Sequence, residues 1–148
     1  MSRERVALLA VRIALGVFFI FEGWDKLPWM ANPGLLTDAL RKWADTGVPA
    51  SKWYIETVLI PGAPLFARLV FLGEVATGLA LLSGVWLRLA AVIAFFMVLN
   101  IHFAHSSIFQ YGFLSKGDGL PILGGLLALA IAGGSSSSNR PSGPRKRK

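Results

Sequence analysis

The chain has 148 residues, 54% of them hydrophobic, a mean hydropathy of +0.58 and no cysteine. It is too apolar for an ordinary soluble domain of this length. The lack of cysteine excludes a disulfide framework, thiolate-bound zinc, iron–sulfur clusters and thiol catalysis by this chain alone. The net charge of +7 does not point to nucleic acid, because Arg140, Arg145, Lys146, Arg147 and Lys148 form a tail and the rest of the chain carries only +2. A basic tail beside apolar spans reads as a topology determinant that also favours anionic lipid headgroups.

The first apolar run resembles a signal-peptide core. However, Arg12 interrupts it, and Glu22-Gly23-Trp24 stands where a small-residue cleavage site belongs. It reads as an uncleaved transmembrane helix over 5–26, long enough for a hydrocarbon core of about 30 Å. Trp24 and Trp29 lie near its far end, where aromatics anchor at headgroups. Pro28, Pro33 and Gly34 break it. From Leu35 to Trp43 the apolar residues share one helical face, with Asp38, Arg41, Lys42 and Asp45 opposite. This is a short amphipathic helix, lying either in the interface or as a cap on the bundle.

Pro61-Gly62-Ala63-Pro64 turns into a second span over 64–82, and the short connection Gly84-Val85-Trp86 makes the third, 87–105, its antiparallel neighbour. After an aromatic loop, Asp118 is a candidate N-cap for a fourth helix over 119–132. That helix is about 21 Å long at 1.5 Å per residue, short of a bilayer. The expectation is an all-α, antiparallel four-helix transmembrane bundle over 1–134, with the amphipathic helix between its first two spans. A disordered basic tail follows over 135–148. Arginines at Arg3, Arg5, Arg88 and in the tail put both termini in the cytoplasm.

The second span is the informative one, because it carries Glu74 near its middle. A charge at mid-membrane depth costs roughly 2.5–3.5 kcal/mol even on lenient insertion scales, so Glu74 should face partners inside the bundle. Arg12, Gly16, Phe19, Gly23 and Lys26 form one stripe of the first helix, with Glu22 close by. His102 and His105 share a face of the third. Two polar layers are expected: Arg12 with Glu74 toward the cytoplasmic half, and Glu22 with Arg68 and the histidines higher up. Paired charges of this kind also serve merely to fix register. The histidine pair lacks a third ligand, so no metal site is expected. A histidine and a carboxylate near a membrane surface suit quinone and proton chemistry.

Arg12 to Leu27 (RIALGVFFIFEGWDKL), Gly73 to Ala91 (GEVATGLALLSGVWLRLAA), the His-bearing third helix and DGLPILGGLLALAIAG together resemble the DoxX/DoxD family of small four-helix membrane proteins. The resemblance implies a bacterial or archaeal inner-membrane protein. In one branch, members are subunits of thiosulfate:quinone oxidoreductase. Where many members carry histidine near the end of helix one, this chain has Glu22, followed by Gly23 and then Lys26-Leu27. The resemblance therefore implies a membrane subunit of a redox complex acting at the quinone level. Glu74, His102, His105 and Glu22 would be its working residues, Arg12 and Arg68 their electrostatic partners, and quinone its cofactor. The implied partners are membrane lipid and a redox subunit, not nucleic acid. The competing readings are a non-catalytic scaffold or assembly subunit and a small-solute or proton transporter, the latter needing a homo-oligomer.

Overall fold

The structure is a computed structural model that describes residues 2–133, so the expected basic tail over 135–148 lies outside the described residues. The described chain is helical, with no strand among the described residues. Helix α1 (Arg3–Asp25) is followed by a short α2 (Leu27–Ala31), α3 (Gly34–Thr46) and α4 (Pro49–Tyr54). A π-helical segment (Ile55–Leu59) then leads to α5 (Ala63–Ser83) and α6 (Leu87–Ala104). A 3-10 turn (Ser107–Phe109), α7 (Gly112–Ser115) and α8 (Leu120–Ala132) complete the order. Three helices, α1, α5 and α6, are long and apolar enough to cross a membrane, and α8 is apolar but shorter. Large side chains such as Phe21, Leu72, Leu79, Ile93 and Phe96 point outward. An apolar surface that extensive has lipid as its natural solvent.

Helix α1 packs along α5, α6 along α8, and the pairs α5–α6 and α1–α8 complete the circuit. The α1–α5 seam is set by small residues. A Cβ on Gly78 would stand 2.9 Å from the carbonyl oxygen of Gly16, and a Cβ on Gly16 would stand 2.7 Å from Leu82 Cγ. Only glycine allows so close an approach. Further along, Gly23 faces Val75 and Glu74. Rising numbers in α1 thus meet falling numbers in α5, which fixes both direction and register. Leu15, Phe19, Leu81, Leu126 and Leu129 fill the core among the long helices.

At the end where α5 finishes, Gly84 adopts a left-handed conformation (φ 79°) and donates to the Ala80 carbonyl. This is the usual glycine stop, which spares a Cβ its steric cost. On the neighbouring side Arg88 Nη2 donates to the Ile131 carbonyl at 3.0 Å. The start of α1 and the end of α8 therefore lie at the same end of the molecule.

At the opposite end α2, α3, α4 and the π-helical segment form a cap. Leu36, Leu40 and Ala44 of α3 are buried against Ile55, Leu59 and Ala63, while Asp38, Arg41, Lys42 and Asp45 stay exposed. The amphipathic pattern read from the sequence is thus spent on packing against the rest of the cap and α5. The cap is tied to the end of α6 by polar contacts. The Val48 N–H donates to Ser106 Oγ at 3.1 Å, the Ser51 hydroxyl to the Phe103 carbonyl, and Tyr54 pairs with Asn100. Asp118 does not cap α8. Gly119 holds that position with no side-chain bond, and Asp118 instead offers its carbonyl to His102.

Candidate functional site

The polar centre forms where the glycine seam ends. Lys26, just past α1, reaches back to Glu22 one turn earlier, donating to its carboxylate at 2.9 Å and its carbonyl at 3.1 Å. The same ammonium lies 2.9 Å from Glu74 Oε2 of α5. Glu74 is almost wholly buried, with 4% of its side chain exposed, Lys26 has 14% and Glu22 has 42%. Lys26 and Glu74 meet as a buried ion pair, with the ammonium at hydrogen-bond distance from a carboxylate oxygen. One ammonium serves two carboxylates, and the cluster carries a net negative charge when all three groups are ionised. An ion pair this buried holds only while both partners are present.

This differs from the two layers expected from the sequence, and the register explains why. Glu74 stands level with Gly23, one turn from Lys26, whereas Arg12 stands level with the end of α5. The Arg12 guanidinium lies over Gly84, where Nη1 would come within 2.8 Å of an added Cβ, and its Nε is buried without a hydrogen bond. A cation there complements the negative end of the α5 dipole. Arg12 is therefore not the partner of Glu74. Nor does Arg68 meet Glu22. Six residues before Glu74, it points about a third of a turn away around α5. It is exposed and donates to the Pro64 carbonyl of its own helix.

The histidines also separate. His102 is held from both sides, with Nδ1 2.7 Å from Ser107 Oγ and Nε2 2.8 Å from the Asp118 carbonyl, its ring edge-on to Phe113. His105 is the C-cap of α6, exposed, with its ring 5.1 Å from that of Trp43. Helix α6 ends at Ala104, between the two, and their rings take different partners.

Two cavities adjoin the Lys26 cluster. The larger, about 450 Å³, lies beneath the cap between α1, α5 and α6. Its walls include Trp29, Trp43, Phe66, Val70 and Ile101, and its polar points are Glu22, Lys26 and Asn100. The smaller, about 140 Å³, is lined by Glu22, Lys26, Glu74, His102 and Asp118 among apolar residues. Glu22 and Lys26 border both. Of the expected working residues, Glu22, Glu74 and His102 thus share the smaller cavity, and His105 stands apart. Lys26 was absent from the expected set although it lay on the Arg12–Gly23 stripe four residues after Glu22. Matching the glycines of α1 to Gly78 would have brought it to Glu74. Tyr54, outside the spans, has its phenol pushed above the ordinary value by burial, against the opposing bond to Asn100. It therefore stays a neutral donor to Asn100.

Long apolar helices, an outward apolar belt and a buried charge cluster define a helical integral membrane protein. The chain belongs to the DoxX family, whose profile matches residues 7–106. It is similar to the inner membrane protein YqjF of Escherichia coli (strain K12), with 33% identity over 132 residues that cover 88% of this chain and 86% of that protein. No solved structure matches it.

Proposed function

We propose that the chain is a membrane subunit of a redox complex and that the larger cavity is its quinone site. In this reading α1, α5, α6 and the short α8 form an antiparallel four-helix bundle. Both termini are cytoplasmic, as the arginine bias favours, and the cap and its cavities face the other side. The observation that carries the reading is the cavity itself. At about 450 Å³ it falls within the range of small-molecule sites, and its walls are apolar and aromatic with a few polar points at the edge. Such a site fits a flat, lipid-soluble ring with polar carbonyls. Trp29, Trp43 and Phe66 would flank the ring, the Asn100 amide, held by Tyr54, would offer its second hydrogen to a carbonyl, and Lys26 holds the Glu22 and Glu74 carboxylates at the boundary. A bound quinone supplies two-electron, two-proton chemistry, and the electrons come from or go to a partner subunit. The chain's own part is to bind and orient the ring and to provide carboxylates for proton exchange.

The test is a quinone titration of the full chain in lipid nanodiscs, read by quenching of intrinsic tryptophan fluorescence. Saturable quenching is expected from Trp29 and Trp43. Val70→Phe, which fills the cavity from α5 without touching the ion pair, should weaken the apparent affinity by about tenfold, or ~1.4 kcal/mol. Quenching that never saturates, or is indifferent to Val70→Phe, removes the quinone site. A partner subunit that copurifies with a chain binding no quinone would assign it a scaffolding role instead.

A further inference from the structure

The Glu74 carboxylate is buried, meets the Lys26 ammonium at Oε2, and lines the smaller cavity. An ionised carboxylate has about four acceptor sites, and a single ammonium fills only part of them, so water is the natural partner for the rest. At about 140 Å³, with Glu22, Lys26, His102 and Asp118 also on its walls, the cavity has both the room and the polar partners for several waters. Asp118 is exposed, so the lining runs from the buried carboxylate to a surface residue.

His102 is built to hold a proton at the outer end of this path. The Asp118 carbonyl can only accept, so Nε2 carries a hydrogen in every state. In the neutral ring Nδ1 accepts from the Ser107 hydroxyl at 2.7 Å. When Nδ1 gains a proton it donates to the same oxygen, and the hydroxyl hydrogen turns to the His102 carbonyl 3.1 Å away. Both states keep every hydrogen bond satisfied. The charged ring faces Glu22 from α1 and Glu74 from α5, with Lys26 the opposing cation and Asp118 beside it.

We propose that the smaller cavity is a water-filled proton path between Glu74 and the surface, with His102 and Ser107 as its relay. This deepens the quinone reading, on which it rests for where the protons are used. A proton leaves the Glu74 carboxyl for cavity water, and the carboxylate left behind is stabilised by the Lys26 ammonium. The His102 ring takes the proton at Nδ1 by way of the Ser107 hydroxyl and gives it back from Nδ1 to water at the outer end, keeping its Nε2 hydrogen throughout. The net change is one proton moved from Glu74 to bulk water, with no electron transferred.

The experiment is rapid-mixing infrared spectroscopy of the full chain in nanodiscs, at a pH low enough to populate the protonated carboxyl. The Glu74 C=O stretch is assigned by its loss in Glu74→Gln, and its shift is timed after mixing into D2O. His102→Gln keeps polar contacts but carries no exchangeable charge, and should slow the shift by roughly 10²-fold, the low end of what a positioned proton-transfer group contributes. Ser107→Ala should slow it by a smaller factor. Unchanged thermal unfolding shows that the slowing is not misfolding, and if His102→Gln does not fold, Ser107→Ala decides alone by the same criterion. Exchange as fast in the folded variants as in the parent, or no titrating band from Glu74, overturns the proposal. Quinone quenching is read in the parent protein, so failure there removes the quinone site and leaves the path standing.

Discussion

The two ends of the α1–α5 pair are built on opposite principles. At the Arg12 end, Gly16 and Gly78 bring the backbones into contact, and Gly84 gives the guanidinium its place. At the Lys26 end the seam finishes in an ion pair, cavities open beside it, and a separate cap covers the top. Shape complementarity holds the first end and charge complementarity holds the second. Within a bilayer that division has a clear logic. Apolar side chains gain little by leaving lipid for protein, so close contact must come from small residues, while a buried charge must find its opposite.

The largest expected effect comes from breaking the charged end. Lys26→Met strands Glu74 in the interior, and should cost ~3–5 kcal/mol by equilibrium unfolding in bicelles. Adding Glu74→Leu should recover most of that loss, because an apolar pair of similar volume is often as stable as the ion pair it replaces. If the double variant is no better than the single, Glu74 has a partner other than Lys26. Next comes the small-residue end. Gly78→Leu drives a side chain into Ile20 and the Gly16 carbonyl and should cost ~1–3 kcal/mol in the same measurement. Smallest is Arg12→Ala, which removes a cation at a helix C-terminus for ~0.3–1 kcal/mol. Its effect should add to that of Glu74→Gln within about 0.5 kcal/mol, since the two residues sit at different levels of the seam. A larger coupling would join two ends that the register separates.

The spans themselves were legible in the sequence, because their apolar runs and their Pro and Gly boundaries are local. The second span was expected over 64–82 and runs Ala63–Ser83; the third was expected over 87–105 and runs Leu87–Ala104. The amphipathic face of α3 was legible for the same reason. The charge pairing was not. It depends on how far one helix slides along another, and an apolar helix looks much the same at every offset. Reading Glu74 as mid-span placed Arg12 within reach, whereas the glycine contacts shift the seam so that Lys26 takes that place. The helical character of 49–60 was also hidden. Pro49 opens α4, but the segment is held by Ser51 and Tyr54 bonding to α6, residues far away in sequence.

The polar stitches that hold the cap have one further consequence. Those from Val48, Ser51 and Tyr54 all end on residues between Asn100 and Ser106. The cap is therefore riveted along a single margin. Asn100 and Ala104 on that margin also line the larger chamber, so the side that fastens the roof is one of the chamber's own walls.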